Sequence, residues 1–89
     1  MANSGMDPAA VERIARQIRT EASNIGSLIN RIAASVSKAD ANWQGADKRR
    51  FVDAWNGVHK RSLQAIKTAL ERLASTAASE AAQQRRISK

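Results

Sequence analysis

A row of apolar residues at seven-residue intervals constrains the fold of this chain more than any other feature. The row consists of Val11, Ile18, Ile25, Ile32 and Ala39. Other apolar residues flank it on both sides: Ile14, Leu28, Ala15, Ala22, Ile29 and Val36. A period near 3.5 residues places them all on one stripe of an α-helix, with polar residues opposite. The pattern therefore predicts a long amphipathic helix over residues 8–40.

Two residues mark the expected start of this first helix. The side chain of Asp7 can accept hydrogen bonds from the first free N–H groups. Pro8 suits the first helical position, because the N–H that proline lacks has no partner there. Residues 1–6 show no periodicity and are predicted to form a disordered N-terminus.

The apolar pattern stops at Asp40 and restarts after Gly45. Asn42 and Gly45 favour a turn, and glycine adopts positive φ without strain. We expect a turn over residues 41–46, a second helix over residues 47–84 and a flexible basic tail over residues 85–89. The apolar side of the second helix advances by three and four residues through Phe51, Trp55, Val58, Ser62, Ile66, Leu70, Leu73 and Ala77, with Val52, Leu63 and Ala69 alongside.

Two long helices with a short connection become antiparallel neighbours, so the predicted fold is an all-α, antiparallel two-helix hairpin. Each apolar stripe is wider than the seam between two helices requires. A second hairpin would cover the remainder and complete a four-helix bundle. The residues that we assign to the hairpin seam or the dimer seam are Val11, Ile14, Ile18, Ile25, Leu28, Ile29, Ile32, Val36, Phe51, Trp55, Val58, Ile66, Leu70 and Leu73.

The residue types exclude most forms of catalysis. The chain has no cysteine and one histidine, His59, at the edge of the apolar stripe. One histidine without cysteine cannot build a usual zinc site, and no nucleophile–base pair or phosphate-binding loop is present. We therefore expect no enzymatic activity, no metal and no cofactor. No signal peptide or membrane-spanning segment is recognisable in the sequence.

The net charge of +7 is unevenly distributed. Residues 1–40 hold five basic and four acidic residues, whereas residues 41–89 hold ten and four. The basic residues that could contact a partner are Lys48, Arg49, Arg50, Lys60 and Arg61. They form either a surface for an acidic partner or nucleic acid, or a solvated face that keeps the chain soluble. Nucleic acid is the weaker hypothesis, because no helix-turn-helix spacing or exposed aromatic interleaving accompanies them.

The tripeptide Trp43-Gln44-Gly45 stands midway along the chain between the two predicted helices, and Phe51 and Trp55 follow it. In this combination the chain resembles the WXG family, the early-secretory-antigen-like (ESAT-like) proteins of type VII (ESX) secretion. The resemblance covers about residues 7–84. It implies a hairpin in which Trp43 and Gly45 form the turn, and which pairs into homodimeric or heterodimeric four-helix bundles.

The same resemblance implies a function. Family members are exported folded, by a route that needs no signal peptide, after residence in the cytoplasm. They act as secreted substrates or as adaptors that escort larger effectors, and Trp43 would pack at the hairpin end or against the secretion ATPase. The alternative function, drawn from the charge alone, is a small basic DNA-associated helical protein.

The sequence departs from the family pattern in one respect. The family's general export signal is a Tyr-x-x-x-Asp/Glu segment after the second helix, and this chain has no tyrosine. Its nearest counterpart runs from Thr76 to Glu80, with threonine in the aromatic position. A heterodimer partner could carry the signal instead.

Overall fold

The computed structural model describes residues 5–87, which form two antiparallel helical arms in a rod of 66 × 16 × 14 Å. The first arm is helix α1, Pro8–Asn42. The second arm contains helix α2, Ala46–Ala54, a π-helical segment, Trp55–His59, and helix α3, Lys60–Ile87. The three segments run on without interruption for 42 residues. The predicted fold class, an all-α helical hairpin, is confirmed.

Helix α1 begins where its sequence predicts. Asp7 is extended, and its Oδ1 accepts hydrogen bonds from the N–H groups of Ala9 at 3.1 Å and Ala10 at 3.3 Å. Pro8 occupies the first turn. Gly5 and Met6 precede the helix without regular structure, and residues 1–4 of the predicted disordered N-terminus lie outside the described residues.

The turn is shorter than the predicted span of residues 41–46, because both helices continue into it. Helix α1 ends at Asn42, whose side chain donates to the carbonyl of Lys38 at 2.8 Å. Trp43 is extended, and Gly45 has φ +105° directly before Ala46 opens α2. Residues with a side chain rarely adopt this φ, so the backbone favours glycine here even though a Cβ would meet no atom within 4 Å.

The second arm is longer than predicted at its carboxyl end. Helix α3 continues to Ile87, whereas the sequence favours a flexible segment from residue 85. The physical reason is an ion pair across the open end of the hairpin, in which Arg85 bonds to Glu12 of α1. Residues 88 and 89 of the predicted tail lie outside the part of the chain that the structure describes.

The seam between the arms has two kinds of packing. Toward the open end it is formed by alanines at seven-residue spacing, all at most 1% exposed: Ala15, Ala22, Ala74 and Ala81. Toward the turn, Ile29 and Val36 pack with Trp55, which is 7% exposed. Small side chains let helix backbones approach closely, whereas the indole fills a wider gap. The hairpin thus uses its one buried aromatic near the turn.

Candidate partner-binding face

Several large apolar side chains do not enter the seam between the arms. Ile14 is 56% exposed, Val58 59%, Ile66 48% and Leu73 54%, and Leu28 is also exposed. These five residues define what we call the apolar face. Large apolar side chains exposed along one side of a small protein indicate a site of interaction with another macromolecule.

Because of the π-helical segment, the apolar side chains before and after it in the second arm face the same side. Phe51 and Val58 are seven residues apart, as are Ile66 and Leu73, but Val58 and Ile66 are separated by eight. A π turn holds about one residue more than an α turn, so eight residues complete two turns where one is π-helical. The N–H of Lys60 bonds to the carbonyl of Trp55, five residues earlier.

The same eight-residue step appears in the rows that face the first arm. Val52 and Lys60 are eight residues apart, and so are Trp55 and Leu63. All four are buried or half-buried, which shows that both halves of the second arm present the same side to α1. The additional residue is therefore absorbed inside Trp55–His59 and does not rotate the remainder of the arm.

The opposite side of the hairpin is polar. A shallow groove there is lined by Arg19, Ser23, Gly26, Ser27, Asn30, Lys67, Glu71 and Ser75. The stem of Lys67 crosses Gly26, where an added Cβ would lie 3.1 Å from its Cε, and its Nζ is 2.8 Å from Glu71 Oε2. Over residues 5–87 the large exposed aliphatic side chains lie on the side away from this groove, so a partner that buries apolar area would occupy that side.

Two exposed aromatic residues lie at the turn. The ring centroids of Trp43 and Phe51 are 5.5 Å apart at an interplanar angle of 46°, and the residues are 39% and 43% exposed. Trp55, four residues after Phe51, is instead buried with Ile29 and Val36. The sequence assigns Phe51 and Trp55 to the hairpin seam or the dimer seam. In the structure Trp55 lies in the hairpin seam, whereas Phe51 lies on the surface beside Trp43.

The residues assigned to the hairpin or dimer seam fall into three groups. Ile29, Val36 and Trp55 are buried between the arms. The half-buried ones are Val11, Ile18, Ile25, Ile32 and Leu70. The exposed ones are Ile14, Leu28, Phe51, Val58, Ile66 and Leu73. For the exposed group, a place in a dimer stays a prediction.

Sequence reasoning misses part of the seam itself. Ala74 and Ala81 are fully buried but are not among the predicted seam residues, and the sequence places Ala15 and Ala22 only beside the main apolar row. The seven-residue spacing of these alanines is the signal that could have identified them. The sequence assignment favours large aliphatic residues, although alanine suits positions where two helices come close.

The five basic residues singled out in the sequence are not equivalent. Lys48 pairs with Asp40 at 3.1 Å, and Arg50 pairs with Asp47. Lys60 is half-buried, while Arg49 and Arg61 are exposed and form no ion pair within residues 5–87. The π-helical segment separates the first three residues from the other two. Acidic neighbours therefore offset much of the positive charge of Lys48, Arg49 and Arg50.

The remaining candidate residue, His59, is exposed at the end of the π-helical segment. Within residues 5–87 no three or more His, Cys, Asp or Glu side chains lie together as they would around a metal ion. Over the same residues no helix combines the length and apolar character needed to cross a bilayer.

The helical hairpin, its Trp-x-Gly turn and its exposed apolar face place this protein in the class of small helical hairpin proteins that bind other proteins. The family model for proteins of 100 residues with WXG matches residues 5–85, and the chain belongs to this WXG100 family. It is thus a helical hairpin protein associated with type VII secretion. The members of the WXG100 family are known as secreted proteins and not as enzymes. No curated protein and no solved structure shows a significant match to the chain.

Proposed function

We propose that this protein is a non-enzymatic substrate or adaptor of a type VII secretion system that acts by pairing its apolar face with another WXG-like hairpin. The observation that carries the proposal is the exposure of Ile14, Leu28, Val58, Ile66 and Leu73 on one side of the rod. The family supports export and hairpin pairing in general terms. The roles of this chain's own residues are our inference.

Burial of the apolar face accounts for the energetics of pairing. Complete burial of one Leu, Ile or Val side chain contributes roughly 1.5–3 kcal/mol. On average the five side chains here are about half exposed, so the burial of one of them against a partner would contribute about half of that free energy. A second hairpin across this face would form a four-helix bundle and remove the exposed area from water. Since two arms alone bury few large side chains, this contact also stabilises the hairpin itself.

We assign recognition by the secretion machinery to the turn. Trp43 is held against Phe51 at the end of the rod, where both rings retain contact with solvent. A large aromatic ring that carries an N–H donor is well suited to anchor a protein contact. The secretion ATPase or an effector would meet this end after pairing in the cytoplasm, and export would follow.

An export assay tests the proposal in a host that has a type VII system. Leu73→Asp places a charge in the apolar face and should abolish both pairing and appearance of the protein outside the cell. Ser75→Asp adds the same charge to the polar groove on the same helix, and should leave both intact. If Leu73→Asp is exported normally, pairing through this face is not required for function.

A second substitution separates recognition from pairing. Trp43→Arg should preserve helix content and pairing, because the ring is outside the core, but reduce export. If the variant unfolds, the indole has a structural role and the assignment of recognition to Trp43 fails. Circular dichroism and export are measured on the same variant.

The alternative, a DNA-associated role, has less support from the charges. Two of the five candidate basic residues, Lys48 and Arg50, already pair with aspartates. DNA binding through phosphates falls steeply with added salt. Failure to shift duplex DNA at micromolar protein and physiological salt would remove this alternative.

A further inference from the structure

We infer that the polar side of the hairpin carries a second binding surface, toward the open end, and that this surface binds the phosphate backbone of duplex nucleic acid. It consists of five exposed arginines, which we call the arginine face: Arg13, Arg16, Arg19, Arg72 and Arg86. None of the five basic residues that the sequence singles out belongs to it. The inference goes beyond the proposed secretion function and is independent of it.

The three arginines of α1 lie on the polar side. Arg19 lines the polar groove itself. Arg16 precedes Ser23 of the groove by seven residues, and Arg13 precedes Ser27 by fourteen. Because seven residues complete about two turns of α-helix, residues at these intervals share one side of it. The three arginines thus follow one another along α1 at steps of about 4.5 Å.

The two arginines of α3 lie on the same side of the hairpin. Arg72, Glu71 and Ser75 line a shallow depression, and Glu71 and Ser75 also line the polar groove. The depression therefore adjoins the groove. Arg86 follows Arg72 by fourteen residues, which is about four turns of helix or roughly 21 Å. Both arms consequently contribute arginines to one surface.

The two sets of arginines occupy the same half of the rod. Glu12 bonds to Arg85 at the open end, and the stem of Lys67 crosses Gly26 near the middle. Four of the five arginines fall between these two contacts along the chain, and Arg86 is next to Arg85. The arginine face is therefore about 20 Å long and spans both arms.

The positive charge of the arginine face is not balanced by ion pairs. None of its five residues forms one within residues 5–87. Two carboxylates lie beside the face, but both are bound elsewhere, Glu12 to Arg85 and Glu71 to Lys67. The guanidinium groups are therefore available to an external anion.

The composition and extent of the arginine face indicate a polymer of phosphates. The planar guanidinium donates two parallel N–H bonds that match the oxygens of a phosphate, whereas the ammonium of lysine acts as a point charge. Five guanidinium groups spread over about 20 Å exceed what one small anion can contact. Duplex nucleic acid carries about one negative charge per 1.7 Å of its axis, so several phosphates lie within that length.

A membrane fits this arrangement less well. An interfacial helix inserts its apolar side into the headgroup region, while its basic residues reach anionic lipids from the same surface. Here exposed apolar residues such as Ile66 and Leu73 lie on the side away from the arginine face. One bilayer cannot contact both sides, so a membrane would be bound by charge alone. The same separation leaves the apolar face accessible when nucleic acid is bound.

Fluorescence anisotropy of a short labelled DNA duplex over a series of salt concentrations tests the inference. Five phosphate contacts predict a slope of about −4.5 for the logarithm of the binding constant against that of the salt concentration. Arg16→Gln with Arg72→Gln removes one arginine from each arm and should reduce the slope to about −2.7. Glutamine is a good helix former, so circular dichroism should show unchanged helix content.

The matched control removes two exposed arginines that lie outside the arginine face. Arg31→Gln with Arg49→Gln lowers the net charge by the same amount, and neither arginine forms an ion pair in the part of the chain that the structure describes. This variant should keep the wild-type slope. Equal losses in both double variants would show that net charge alone matters and would overturn the assignment to this face. Absence of binding by micromolar wild type at low salt would overturn the inference altogether.

Competition experiments distinguish nucleic acid from other polyanions. Vesicles that contain phosphatidylserine and polyglutamate, each added at the same concentration of negative charge as the duplex, should leave most of the duplex bound. Displacement by polyglutamate would indicate an acidic protein partner, and displacement by vesicles a membrane. Either result would overturn the assignment to nucleic acid.

The arginine variant also separates this surface from the secretion function. Arg16→Gln with Arg72→Gln should pair and be exported like the wild type, because these residues lie opposite the apolar face. Loss of pairing in this variant would mean that the arginines belong to the pairing surface, and the inference would fail. If the wild type is exported but binds no duplex, the secretion function stands and the arginine face does not bind nucleic acid.

Discussion

Arg85 and Glu12 close the open end of the hairpin with a two-point contact. Arg85 Nη2 lies 2.7 Å from Glu12 Oε1, and its Nε lies 2.9 Å from Oε2, although the residues are 73 apart in sequence. Two parallel N–H···O bonds fix direction as well as distance. This contact explains why α3 remains helical beyond the predicted end.

The ion pair predicts a pH dependence of stability. The hydrogen bond from Arg85 lowers the pKa of Glu12, with the charges of Arg85 and Arg16 acting in the same direction and desolvation opposing them. Because the folded-state pKa is below that of the unfolded chain, the contribution is present above the ordinary carboxyl range and is lost as pH falls through the folded-state pKa.

Urea unfolding of the wild type and of Glu12→Gln measures this effect. We expect the wild type to be slightly more stable near neutral pH, and the difference to vanish in acid. Ser79→Glu, which adds an exposed carboxylate to α3 with no charged residue three or four positions away, serves as a control for nonspecific charge effects. A difference that is the same at both pH values would show that Glu12 contributes packing and not charge.

The fully buried alanines predict a steric limit on the seam. Ala74 is 0% exposed, so Ala74→Leu must separate the arms or distort the helix. Overpacking of this kind costs about 1–3 kcal/mol. Ala69→Leu, at an exposed position of the same helix, should be nearly neutral. The free energy of unfolding in urea distinguishes them, and equal values would mean that the seam adapts to larger side chains.

Gly26 predicts a competition between helix propensity and a side-chain contact. Alanine is favoured over glycine inside a helix by about 1 kcal/mol. The new Cβ would lie 3.1 Å from Cε of Lys67, near the flexible end of that side chain. The lysine can move and weaken its pair with Glu71, an interaction of about 0.2–0.5 kcal/mol.

We therefore expect Gly26→Ala to stabilise the hairpin modestly, by roughly 0.5 kcal/mol after both effects. The same substitution in a Lys67→Ala background removes the contact and should give the larger gain. Destabilisation by Gly26→Ala in the wild-type background would show that the lysine stem is fixed over α1.

The hairpin was predictable because its local signals agree. Asp7 and Pro8 start α1, the apolar row carries it to the turn, and Gly45 supplies the positive φ. The division of the apolar stripe was not predictable in the same way. Periodicity shows that Ile29 and Ile14 lie on one side of a helix, but only the positions of both arms show that Ile29 is buried and Ile14 exposed.

The π-helical segment was not predictable for a related reason. The second arm steps by three and four residues throughout, so a single additional residue near Gly57 looks like an ordinary irregularity. Its effect appears only when whole rows are compared across it, from Phe51 to Leu73 or from Val52 to Ala74. Gly57 indicates an irregularity in the helix here, but it does not show that the irregularity is a π turn.

Deletion of His59 is the last prediction and tests whether the π turn does no more than absorb one residue. The deletion shortens three eight-residue steps to seven residues. These steps join Val52 to Lys60, Trp55 to Leu63, and Val58 to Ile66. Regular α-helix would then keep every row in place. We expect the deletion variant to retain its helix content, its buried indole fluorescence and its pairing.

Deletion of Ala69 is the matched control, because it is also exposed but lies within regular α-helix. Its loss rotates the rest of α3 by about 100°, which turns Ala74 and Ala81 away from the seam. This variant should lose most of its stability. If deletion of His59 is equally damaging, the π turn holds Trp55 in a geometry that α-helix cannot reproduce, and its role extends beyond keeping the rows in register.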